Sequence, residues 1–185
     1  MRWGTVGWSG CVLTATTVGA SARPSVELSV DVGGDATVGE GRVDEFNLVD
    51  RGPRLGVGAG LRLRHVTPLL RVQAGRLSAD VDGVTLLGVG PGVRVPLELT
   101  PRLAVHGELD LGLALGLPGE PVGAWVGLGA YARVAGGVIG WLRPGVGLGA
   151  EVAATRWHYG YESRCCFGPT TLGAALTLTV VTGGS

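Results

Sequence analysis

The sequence contains no lysine; all 15 of its basic residues are arginines, set against 15 Asp and Glu for a formal net charge of zero. A chain with no basic excess carries no electrostatic footprint for nucleic acid. Aromatic residues make up only 5% of the chain, and there is a single Met. No run of about 18 apolar residues occurs, which excludes a transmembrane helix. Cysteine is scarce as well, at three residues, and the spacing of a zinc site is missing. What the chain has in abundance is glycine, 35 residues of 185.

The first residues read as a secretion signal. Arg2 gives the positive start, Val12, Leu13 and Val18 lie in a modestly apolar stretch, and Ala20-Ser21-Ala22 fits the small-residue cleavage pattern. The expected division is a signal peptide over residues 1–22 and one domain over 23–185. Cys11 follows Trp8-Ser9-Gly10, which is not the approach to a lipidation cysteine. With Cys11 removed, Cys165 and Cys166 remain, a neighbouring pair that in an oxidising compartment either closes a vicinal disulfide or stays as thiols. His158 and Glu162 lie close by in sequence, without the spacing of a metal centre, and no metal or cofactor is expected.

From residue 24 onward, apolar residues alternate with small or polar ones, the signature of strands with two different faces. Eight such segments can be followed, at about 24–33, 53–64, 69–79, 85–98, 102–117, 122–134, 138–155 and 170–181. The fifth is the plainest: Leu103, Val105, Leu109, Leu111, Leu113, Leu115 and Leu117 form one stripe, and His106, Glu108, Asp110 and Gly112 the other. In the third segment the phase slips near Arg76 and Leu77, which suggests a bulge or a membrane edge. Short turns are expected at 65–68, 99–101 and 135–137, the last at Gly136-Gly137. Longer connections are expected at 34–52 and 156–169. Short turns on one rim and longer loops on the other, with an even strand count, are the rhythm of an outer-membrane barrel.

Polarity decides between water and lipid. A β-sandwich or a lipocalin-like barrel would put its apolar face inside and cover the other with charge. Here the polar face carries many glycines and few charges, while the apolar face is continuous and uncharged. The apolar face therefore reads as lipid-facing. The other face is expected to line a lumen in which six acids, Glu27, Asp31, Glu98, Glu108, Asp110 and Glu151, balance six bases, Arg62, Arg64, Arg71, Arg94, Arg133 and Arg143. Pairing offsets the cost of burying them, and glycines leave room in a lumen only wide enough for side chains.

On these grounds the chain, over about 24–181, resembles the small eight-stranded outer-membrane β-barrels, the class of the outer membrane protein A transmembrane domain and the X and W proteins. The resemblance implies an all-β, antiparallel, up-and-down transmembrane barrel in the outer membrane of a Gram-negative bacterium, a monomer in contact with outer-membrane lipid. Two features depart from the pattern. The sequence ends Val180-Val181-Thr182-Gly183-Gly184-Ser185 without the terminal aromatic such barrels usually show. The aromatic girdle is thin, its candidates being Trp125, Tyr131, Trp141, Trp157, Tyr159 and Tyr161.

Three functions compete. A structural or surface-interaction role would place the work in loops, the richest being 156–169 with Trp157, His158, Tyr159, Tyr161 and Arg164. A narrow channel for small solutes would need a water path that eight strands rarely leave. A lipid-modifying enzyme would need a nucleophile beside a base. His158 and Ser163 are the nearest such pair, in a loop, and His106 beside Glu108 reads better as an ion-pair partner on the inner face. The Gly-x-Gly runs at 56–60 and 145–149 lie within strands with no following helix, so they are not nucleotide loops. The expected function is the first: a non-enzymatic barrel with a filled lumen and an unidentified surface ligand.

Overall fold

The structure, a computed structural model, describes residues 24–38, 42–43, 46–47, 51–78, 83–118, 127–161 and 164–183. The signal peptide expected at 1–22 and the girdle candidate Trp125 lie outside the described residues, as does Glu162. Eight long strands carry the fold: β1 (Ser25–Thr37), β2 (Arg51–Arg62), β3 (Thr67–Ser78), β4 (Gly83–Thr100), β5 (Leu103–Pro118), β6 (Gly127–Arg143), β7 (Val146–Tyr161) and β8 (Thr170–Thr182). Each pairs antiparallel with its neighbours in sequence, and β8 pairs with β1, so the sheet closes on itself. A two-residue ladder, Arg42–Val43 with Phe46–Asn47, lies between β1 and β2 in sequence, and Arg164–Phe167 extends the ladder on β7.

Closure follows from the backbone. An open sheet in hydrocarbon would leave a row of unpaired N–H and C=O groups at each edge, and a barrel has no edge. The alternation then determines which side of the wall each residue takes. Most large aliphatic residues on the outer wall are exposed, from 39% (Val30) to 73% (Leu176). The inner wall holds Glu27, Asp31, Arg71, Arg94, Glu108, Asp110, Arg133 and Glu151, all buried. This is the polarity of a water-soluble protein reversed, and it suits a barrel in lipid.

The turns at 63–66, 101–102 and 144–145 share one rim with Ser25 and Thr182, and the remaining connections share the other. Two expectations fail here. Gly136-Gly137 is no turn: β6 runs straight through it, and the chain reverses at Pro144-Gly145, where Gly145 takes φ 79°. A hairpin of this tightness needs a residue tolerant of positive φ, and glycine supplies it. Nor does the third strand bulge. The β3–β4 register is continuous from Thr67 to Ser78, so Arg76 points outward and Leu77 inward. What changes there is the chemistry of the two faces, not the geometry.

Candidate functional site: the filled lumen

The lumen is filled in two layers. The first is an ion-pair lattice at mid-barrel. Arg71 on β3 reaches Asp31 on β1 at 2.6 Å and Glu108 on β5 at 2.6 Å, with Asp110 at 3.5 Å. Arg133 on β6 binds Glu108 and Asp110, each at 2.6 Å, and Glu151 on β7. Arg94 on β4 joins Glu27 to Glu108, both at 2.6 Å. Arg54 on β2 faces Glu151 at 3.4 Å, Asp35 at 3.5 Å and Asp31 at 4.0 Å. One connected network thus ties seven of the eight strands together across the lumen.

Glycines opposite the charges make this possible. A side chain at Gly56 would run into the Asp31 carboxylate, and one at Gly92 into Asp110. The register shows why: Asp31 pairs with Gly56, and Gly92 with Asp110. The glycine enrichment of the inner face is therefore a packing requirement of large ionised groups in a narrow tube.

The second layer lies toward the rim of longer loops. Leu77, Leu86, Ala114, Tyr131 and Trp157 form a buried apolar cluster against which Val84 packs. Tyr131 and Trp157 are register partners on β6 and β7, with ring centroids 5.5 Å apart. Gly88 and Gly112 make room for the Tyr131 ring. Both aromatics point into the barrel. Their girdle assignment is corrected, because the parity of β6 and β7 that places Arg133 and Glu151 inside also places Tyr131 and Trp157 inside.

The charged residues expected in the lumen divide into two groups. Glu27, Asp31, Arg71, Arg94, Glu108, Asp110, Arg133 and Glu151 stand in the lattice. Arg62 and Glu98 pair with each other at 2.6 Å on the turn rim, with side chains 19% and 64% exposed, and Arg62 also stacks over Trp141 at 5.3 Å. Arg64 and Arg143 are exposed at the turns 63–66 and 144–145, outside the lumen. They continue the alternation on paper, but the strands have ended or reached the water at that level. In their place the structure brings in Arg54 and Asp35, while His106 stands on the inner face as expected. Arg54 shares parity with Gly56 and Asp35 shares parity with Asp31, so the signal was there. Asp35 lies beyond the expected end of the first segment at 33, and Arg54 lies at the extreme start of the second, 53–64.

Of the loop candidates, Trp157 is inside the barrel and His158 is exposed on the outer wall of β7. The side chains of Tyr159, Tyr161, Arg164, Cys165 and Cys166 lie outside the described ones, and with them the vicinal disulfide considered for the cysteine pair.

No protein-family model matches the sequence, and no curated protein matches it. Solved structures do match. The chain is similar to Neisserial surface protein A over 87% of its own length and 99% of that protein's, at 13% identity and a TM-score of 0.65. It is also similar to the N-terminal β-barrel domain of Pseudomonas aeruginosa OprF over 85% of its length and 99% of that chain, at 14% identity and a TM-score of 0.51. At these identities the likeness is one of fold. The protein has the fold of the small eight-stranded outer-membrane barrels, with a lumen occupied by its own side chains.

Proposed function

We propose that this chain is a monomeric, non-enzymatic barrel of the Gram-negative outer membrane, whose lumen is closed and whose function is structural or carried by the surface at its long-loop rim. Residence in the outer membrane is supported by the aliphatic outer wall and by the fold. Short turns face the periplasm in such barrels, which would put the 38–50, 119–126 and 162–169 connections outside the cell. The monomeric state is supported by closure itself, since the eight long strands leave no open edge in the barrel wall to recruit a second copy.

The observation that carries the closed lumen is the stacking of two different seals. Water that passed the apolar layer of Leu77, Leu86, Tyr131 and Trp157 would meet a lattice whose arginines and carboxylates are each within reach of a partner. A narrow channel would require both to open. Purified protein reconstituted in planar bilayers tests the reading. The expected record is a baseline without steady conductance. A large, steady conductance in the unmodified protein would overturn it and favour the channel.

A further inference from the structure

His106 on β5, Gly137 on β6 and Glu151 on β7 lie in one row across three neighbouring strands, His106 paired with Gly137 and Gly137 with Glu151. Gly137 contributes no side chain. A Cβ there would stand 2.7 Å from Cε1 and 3.1 Å from Nε2 of the His106 ring. The imidazole from β5 and the carboxylate from β7 therefore meet over the glycine. His106 is 5% exposed, and neither of its ring nitrogens has a hydrogen-bond partner among the described residues. Its Nε2 faces Glu151 Oε2 at 3.6 Å, and that oxygen has no hydrogen-bond partner either. Arg133 takes the other oxygen of Glu151, Oε1, which leaves Oε2 turned toward the ring. Glu108, two residues from His106 on the same face, completes three ligand atoms lying within 4.8 Å of one another.

The separation suits two ligands of one ion. Bonds of about 2.0–2.2 Å to zinc in tetrahedral geometry put neighbouring ligand atoms roughly 3.4 Å apart. The charge balance points the same way. Among the described residues the buried acids of the lumen are Glu27, Asp31, Asp35, Glu108, Asp110 and Glu151, six in all, and the buried arginines are Arg54, Arg71, Arg94 and Arg133, four in all. The lattice is short by two positive charges, the charge of one divalent cation.

We propose that His106 Nε2, Glu151 Oε2 and the Glu108 carboxylate form a lumen site for a divalent transition-metal ion of the zinc type. One imidazole with two carboxylates is a donor set that suits zinc better than calcium or magnesium, which take oxygen ligands. Glu108 also serves Arg71, Arg94 and Arg133, so it is the weakest of the three ligands, and His106 with Glu151 supplies the core of the site. The ion would pin β5 to β7 across β6. The competing occupant of the gap is a proton on His106, which would offset only one of the two charges.

The test uses the folded, full barrel in detergent, stripped with EDTA and then given zinc alone. Bound metal is measured by mass spectrometry after dialysis, and stability by the temperature at which heat-modifiable gel mobility is lost. The parent is expected to retain one zinc per barrel and to unfold at a higher temperature with zinc than without. His106→Gln should weaken zinc binding at least about tenfold, and Gly137→Ala should do the same by displacing the ring. The Cys165→Ser/Cys166→Ser variant should keep its zinc. Should either lumen variant fail to fold, cobalt(II) added to the parent decides. Visible bands of tetrahedral nitrogen–oxygen ligation without a thiolate charge-transfer band support the site, and a thiolate band or no such bands overturns it. Parent protein that retains no zinc, or His106→Gln that binds as the parent does, overturns it too. So does a stability that ignores zinc and rises on acidification, which would assign the gap to protonated His106.

Discussion

Arginine does inside this barrel what lysine could not. A guanidinium presents five donors in a rigid planar fork, so one residue can bridge several carboxylates at once. Arg133 and Arg71 each meet three acids, and Arg94 and Arg54 link acids on different strands. An ammonium on a flexible stem would satisfy fewer of them. The lysine-free composition is thus consistent with the lumen, where, among the described residues, the buried cations of the lattice are Arg54, Arg71, Arg94 and Arg133. Removing one such hub takes a partner from several buried carboxylates at once. Arg133→Met should destabilise the barrel by about 3–5 kcal/mol, measured by urea titration of folding into lipid vesicles. Arg133→Lys should recover only part of that loss. Arg62→Met, at the solvated turn rim, should cost no more than about 1 kcal/mol. Equal losses at Arg133 and Arg62 would show that the lattice is solvated throughout.

At the scale of the strand, parity was legible and turn position was not. Alternation with period two states which residues share a face, and that much could be read from Leu103 to Leu117 or from Leu55 to Leu63 with no structure. It could not locate the reversal between β6 and β7. A two-residue turn alone would invert parity, but the register shifts between Trp141 and Arg143 and restores it, so Leu142 before the turn and Leu148 after it lie on the same outer wall, as if the strand had continued. Gly136-Gly137 offered the stronger turn signal, yet Gly137 is a glycine because His106 lies over it. Tyr131 and Trp157 were misplaced for a related reason: aromatic residues in a membrane protein suggest the headgroup level, and only closure of the barrel reveals that they fill it. Two substitutions test the element. Leu111→Arg, on the outer wall midway along β5, should cost about 2–4 kcal/mol in vesicle folding titrations. A cost near zero there would mean that the faces are reversed. Gly145→Ala should cost about 1–2 kcal/mol because an L-residue is strained at positive φ, whereas the same change at a glycine of ordinary φ with open space, such as Gly107, should cost far less. Comparable losses at both would remove the turn from 144–145.

For the whole molecule, the count of buried charge makes the acids unequal. Among the described residues, six buried carboxylates face four buried arginines, more negative charge than those arginines offset. If every acid contributed alike, removing any one would relieve the imbalance. The connections say otherwise. Among the described residues, Glu108 is held by Arg71, Arg94 and Arg133, whereas Glu27 meets Arg94 alone, and Asp35 meets Arg54 alone, at 3.5 Å. Neutralising Glu108 with glutamine should therefore take one ion-pair partner from each of three guanidiniums and cost about 3–5 kcal/mol. Glu27→Gln and Asp35→Asn remove a single contact each while reducing the surplus, and they should be close to neutral or slightly stabilising. The double variant Glu108→Gln/Asp110→Asn lowers the count of acids to that of the arginines, yet it should be the least stable of the set, because it takes partners from Arg71 and Arg133 together. It should still conduct poorly in planar bilayers, since Leu77, Leu86, Tyr131 and Trp157 close the lumen in a separate layer. Adding Trp157→Ala to that variant removes part of the second seal, and only then should a steady leak appear. Thermal unfolding and conductance recorded on the same preparations check both halves of this expectation. A series in which stability follows net charge alone would show that the lumen acids act as a diffuse field, and a leak in the double variant alone would show that the apolar layer does not seal.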